Sequence, residues 1–193
     1  MADAVERAFV GSETGSLHEG LTRTERILAL EIRPQKFGFV VLEESRKLLD
    51  WGVRNYGSRG AHRGVVLKKR ICALFDLYIP SVVVTRQRDS SSRRVKRAIW
   101  WTVQTIMREA EKRSIELQTV DAQEIQRFFS EHSCQTKHQR ASLLSKWFEE
   151  LAWKLPPKRK PWQSEKYNTA IFDAAAVGVV FLADRSSDHS ANF

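Results

Sequence analysis

Two carboxylates stand in surroundings that make a carboxylate costly. Glu31 lies inside the apolar run ILALEI (27–32), and Asp173 lies between Phe172 and Ala174 in an otherwise apolar helical stretch. An ionised side chain taken out of water needs a partner or a cation, so both are candidates for chemistry. For Glu31 the plain alternative is an edge-strand residue facing solvent; Asp173 is harder to explain as surface decoration. A second set of candidates is basic. Arg86, Arg88, Arg93, Arg94, Lys96 and Arg97 fall within twelve residues directly after the run SVVVT, and Lys158, Arg159 and Lys160 cluster between prolines. Such residues are usually solvated loop positions, yet here they accompany a net charge of +9, which favours a polyanionic partner. Nucleic acid and an anionic membrane surface both qualify. The longest apolar run, Ala174 to Ala183, has ten residues, too few to cross a bilayer.

The chain of 193 residues suits one domain with a real core. Asp3 and Glu6 near the start, without an apolar stretch of signal-peptide length, lead us to expect a cytoplasmic protein. The two cysteines, Cys72 and Cys134, are far apart and form no Cys-x-x-Cys pair, which argues for reduced thiols and no zinc site. The five histidines are scattered without the spacing of a helical metal pair and read as ordinary surface residues.

Positioning these groups requires elements that the patterning supplies. Residues 27–44 form two Ile-, Val- and Phe-rich runs around the break Arg33-Pro34-Gln35-Lys36, a β-hairpin. Lys47 to Tyr56 adds a third antiparallel strand. From Ala61 to Tyr78, Val65, Leu67, Ile71, Leu74 and Phe75 give an amphipathic helix ended by Pro80. SVVVT is a central strand covered on both faces. A helix from about Ser92 to Arg113, a strand from Ile115 to Val120 and a helix capped by Asp121 and Glu124 follow. A further helix ends near Leu155, and the last runs from about Ser164 to near Leu182. Adjacent Trp100 and Trp101 cannot both face one core, so one is expected at the surface or a subunit contact. The expected fold class is α/β: an antiparallel three-strand meander followed by parallel strands, helices on both faces. A single domain over 25–183 lies between a flexible leader (1–24) and a flexible tail (184–193).

In this order the segments ILALEIRPQKFGFVVLEE, IPSVVV, IELQTVDAQEIQRFF, TKHQRASLLSKWF and YNTAIFDAAAVGVVFLA resemble the RuvC-type Holliday-junction resolvases and the wider ribonuclease H-like superfamily, over residues 26–183. The resemblance implies a ribonuclease H-like sheet. It also implies metal-dependent, structure-selective endonuclease action on branched DNA, with carboxylates holding Mg2+ or Mn2+ that neutralises charge and generates the nucleophile. Glu31 and Asp173 stand where the family places catalytic metal ligands. Lys137, His138 and Arg140 resemble its basic positions, and the run from Arg86 to Arg97 would face the site as a nucleic-acid surface. Trp162 and the exposed member of the Trp100-Trp101 pair could stack on unpaired bases. A homodimer is implied, matching a two-fold junction, with the Trp100-Trp101 helix as its contact. The departures are Thr85 at the end of the central strand and Ala170 one turn before Asp173, where acidic residues are expected, and Glu at the opening position in place of Asp. Asp89, four residues past Thr85, and Glu165, on the 165, 169, 173 helical spacing, are the substitutes. The missing ligands open an alternative: a catalytically decayed, nucleic-acid-binding protein on the same fold.

Overall fold

The computed structural model describes residues 25–43, 47–57, 62–87, 93–158, 162 and 165–190, with the backbone alone for 93–96, 98 and 187–190. The first apolar runs form β1 (Arg26–Ile32) and β2 (Lys36–Glu43), an antiparallel pair closed by the Arg33 N–H donating to the Lys36 carbonyl at 2.9 Å. β3 (Leu48–Asn55) pairs antiparallel with β2 and completes the meander. Then come α1 (His62–Tyr78), β4 (Val82–Arg86), α2 (Arg93–Glu111) and β5 (Glu116–Val120). β4 pairs parallel with β1, and β5 parallel with β4, giving one five-stranded sheet in the order β3-β2-β1-β4-β5. The chain finishes with α3 (Ala122–Glu131), α4 (Lys137–Trp147), a 3-10 segment (Glu149–Lys154) and α5 (Thr169–Ser190).

Side-chain alternation along the strands assigns the two faces. Leu28, Leu30 and Val83 meet Leu67, Ile71 and Phe75 of α1 and Ile106 of α2. Ile27, Ala29 and Val84 meet Ile125 and Phe129 of α3, Leu144 of α4 and Val177 of α5. Covering both faces is what makes β1 and β4 read as unbroken apolar runs, and each fully buried Leu or Ile contributes about 1.5–3 kcal/mol. Glu109 ties α1 to α2. Lys112 at 2.8 Å and Lys68 at 3.1 Å hold its carboxyl at about 2 against the opposing effect of burial.

Several expectations change. Val65 is 63% exposed, because it lies roughly 200° around the helix from Leu67. The helix expected to end near Leu155 stops at Trp147 and tightens into the 3-10 segment. The last helix begins at Thr169 and continues through Ser190, past the end expected near Leu182. Arg185 reaches Glu25 at 2.8 Å there, and Ser186 Oγ donates to the Leu182 carbonyl at 2.8 Å. His132 is not an ordinary surface residue: its ring packs 4.9 Å from Phe128 and 5.4 Å from Trp147. Trp100 and Trp101 are both partly exposed, Trp101 against Gly64 and beneath the Arg63 guanidinium. The Asp121–Glu124 capping box is present as expected. The leader 1–24, Ser164 and Asp89 lie outside the described residues.

Candidate nucleic-acid site

Glu31 follows Ile27 and Ala29 on the same face of β1, so its side chain points toward α5, where Asp173 is the fifth residue, at the start of the second helical turn. Glu31 is fully buried and Asp173 nearly so. The expected pairing of these two carboxylates is therefore real in space, and Glu165 joins them. It does so from the segment before α5, not from a shared helical face, since the helix starts only at Thr169.

Between the carboxylates sits Arg33. Its Nη2 donates to Asp173 Oδ2 at 2.7 Å, its Nη1 lies 2.8 Å from Glu165 Oε2, and its Nε lies 3.8 Å from Glu31 Oε1. The Tyr56 hydroxyl donates to the Arg33 carbonyl and fixes the turn from which the side chain departs. Arg86 Nη2 donates to Glu31 Oε1 at 3.1 Å, and Lys137 Nζ donates to Glu165 Oε1 at 2.6 Å with Asp173 Oδ2 at 3.7 Å. Burial pushes the Glu165 carboxyl up, but Lys137 and Arg33 outweigh it and hold it below the usual range. Burial lowers the Arg140 guanidinium, with Asp173 opposing and Arg86 adding to the fall.

Strand alternation explains Thr85. Val82 and Val84 face α5 and Val83 the opposite face, so Thr85, itself buried, turns away from the carboxylates and Arg86 turns toward them. The site-facing residue at the end of the central strand is thus a cation. Ala170 is fully buried, and a Cβ on Gly38 would lie 2.1 Å from its carbonyl oxygen, so α5 rests there directly on β2. A divalent ion does not fit this donor set. Magnesium and manganese need carboxylate oxygens free to turn toward them, and here Glu31 Oε1, Asp173 Oδ2 and both Glu165 oxygens are held by Arg33, Arg86 or Lys137, whose charges would repel such an ion. Among the described residues no group of three or more His, Cys, Asp and Glu is arranged to hold a metal.

Of the other basic candidates, Arg97 is exposed near the start of α2 and Lys158 is exposed beside the site. Arg88, Arg159 and Lys160 lie outside the described residues, as do the side chains of Arg93, Arg94 and Lys96. Arg33 was missed from sequence because it occupies a hairpin turn. The available signal was its spacing: residues 31 and 33 fall on one face of a two-residue repeat.

The sequence matches no known family model, and no curated protein matches it. Solved structures do resemble it. Thermus thermophilus RuvC in complex with a Holliday-junction substrate superposes with a TM-score of 0.62 at 12% identity, over 84% of this chain and 96% of that one. The fowlpox virus Holliday junction resolvase gives 0.51 at 10% identity, over 82% and 99%. The yeast mitochondrial Holliday junction resolvase Ydc2 gives 0.50 at 14% identity, over 94% and 90%. Taken with the sheet order, the two helical faces and the meeting of β1 with the last helix, these likenesses show that the chain has the ribonuclease H-like fold in the form built by RuvC-type Holliday-junction resolvases.

Proposed function

We propose that this chain is a nucleic-acid-binding protein on a resolvase-like fold, one that engages branched or duplex DNA without cutting it. The observation that carries the reading is Arg33, whose guanidinium bridges Glu165 and Asp173 and approaches Glu31. Hydrolysis of a phosphodiester by such a cluster requires metal to neutralise charge and to generate the nucleophile. A guanidinium neutralises charge but cannot be deprotonated and supplies no activated water. Three carboxylates face four cations, Arg33, Arg86, Lys137 and Arg140, so the cluster has an excess of positive charge toward an approaching phosphate. The junction bound to the Thermus neighbour makes branched DNA the first ligand to try. A two-fold homodimer would suit such a ligand.

The second reading, a metal-dependent endonuclease, is favoured by the convergence of Glu31, Glu165 and Asp173. The two separate on a labelled four-way junction beside a matched duplex, with Mg2+ or Mn2+ and with chelator, for wild type and Asp173→Asn. We expect salt-sensitive binding, no nicking under any condition, and an Asp173→Asn affinity equal to wild type or tighter, since one negative charge is removed. Metal-dependent nicking by wild type that disappears in Asp173→Asn would establish the nuclease instead.

A further inference from the structure

Beside the cation cluster, α4, α5 and the Pro156–Lys158 segment enclose a cavity of about 330 Å³. Its character is divided. Ala141, Phe172 and Ala176 form an apolar floor, with Pro156 and Pro157 on one wall. Lys137, Arg140, Lys158 and Lys166 line it with four cations against the two carboxylates of Glu165 and Asp173, which pair with Lys137 and leave Lys158 and Lys166 exposed for a phosphate. Ligand sites usually combine a mainly apolar surface with a few placed polar groups, in volumes of about 300–1,000 Å³. At the small end of that range this one has room for a single flat ring system with its sugar, not for stacked base pairs. His138, another lining residue, has an Nδ1 shielded from solvent with no hydrogen-bond partner.

We infer that this cavity receives one unpaired nucleotide of a bound strand, its base on the apolar floor and its phosphate on the lysine and arginine side chains. The inference rests on the nucleic-acid reading and adds the feature that is selected. A duplex would meet only the rim, through its phosphates, whereas a nucleotide at a branch point, bulge or gap could enter. The cost of taking a base out of the stack is least where it is already unpaired, so the cavity would turn a general attraction for polyanions into a preference for interrupted helices. A nucleotide within a strand suits the site better than a free one, because the exposed Lys158 and Lys166 on its rim can meet the neighbouring phosphates.

The test uses the full chain and three DNAs: a matched duplex, the same duplex with a one-nucleotide 2-aminopurine bulge, and the same bulge carrying an abasic residue. We expect the 2-aminopurine bulge to bind roughly tenfold tighter than the other two, in the range one stacked base contributes. Its emission should change on binding and become protected from a soluble quencher. Ala176→Leu, which fills the floor, should remove the tenfold gain. If that variant fails to fold, the comparison of base with abasic residue in the unaltered chain still decides. Equal affinity for the two bulges, with the fluorophore as accessible as in free DNA, would overturn the pocket while leaving the nucleic-acid reading in place. No binding to any of the three would overturn that reading, and the pocket with it.

Discussion

Arg33 reaches three carboxylates from one side chain because its guanidinium presents five donors in a fixed plane, and the hydrogen bond from Tyr56 sets where that plane begins. The buried position makes the partnership stringent: Arg33 is 13% exposed, Asp173 11% and Glu31 not at all. Removing one member of such a cluster leaves charge without compensation away from water, a loss of about 3–5 kcal/mol. Arg33→Ala should therefore lower the unfolding free energy, read from urea titration, by an amount in that range. Lysine should restore little, since a single ammonium cannot bridge two carboxylates as the planar fork does. The same variant frees carboxylate oxygens. Millimolar Mn2+ is thus expected to raise the melting temperature of Arg33→Ala, by binding the folded state alone, and to leave wild type unmoved. Equal responses of the two proteins would mean that the guanidinium does not stand in an ion's place.

At the scale of elements, the site depends on how closely α5 lies against β2. Gly38 is the point of closest approach, where an added Cβ would sit 2.1 Å from the Ala170 carbonyl oxygen and 2.4 Å from its carbon. Backbone cannot give way as a side-chain tip can, so Gly38→Ala must push the first turn of α5 outward and carry Asp173 away from Arg33. We expect a loss of about 3 kcal/mol, the upper end for overpacking, together with faster amide exchange at the start of α5. Gly64→Ala is the control. Its new methyl meets only the edge of the Trp101 ring, at 3.1 Å, and α1 gains up to about 1 kcal/mol of helix propensity, so stability should change little. A Gly38→Ala protein as stable as the Gly64→Ala one would remove close helix-strand contact as the device that places Asp173.

Over the whole molecule, what was legible from sequence was what leaves a pattern along one segment. The hairpin, the doubly covered central strand and the Asp121–Glu124 cap each write their reason into neighbouring residues. Glu31 and Asp173 stood out because a carboxylate in an apolar run demands a partner. The identity of those partners depended on register between distant segments: Arg33 in a turn and Arg86 on the site face where Thr85 was expected, while Glu165, named from a helical spacing, joins them from ahead of the helix. The length of α5 was hidden for a different reason, since its last turns carry no apolar stripe. The same distinction decides which of the 32 lysines and arginines can act on DNA. Each phosphate contact contributes about −0.9 to the slope of log affinity against log salt, but only for a cation free to exchange its counterion. Arg86 is committed to the fully buried Glu31, whereas Lys158 is exposed on the rim of the cavity. In duplex-binding titrations by fluorescence anisotropy between about 50 and 200 mM salt, Lys158→Ala should make the slope shallower by about one, with stability unchanged. Arg86→Ala should do the reverse, leaving the slope nearly as it was and lowering the melting temperature by uncovering Glu31. If Arg86→Ala instead removes a full unit of slope in a protein of wild-type stability, the arginine serves the phosphate backbone directly, and the internal neutralisation of the carboxylates would need another cation.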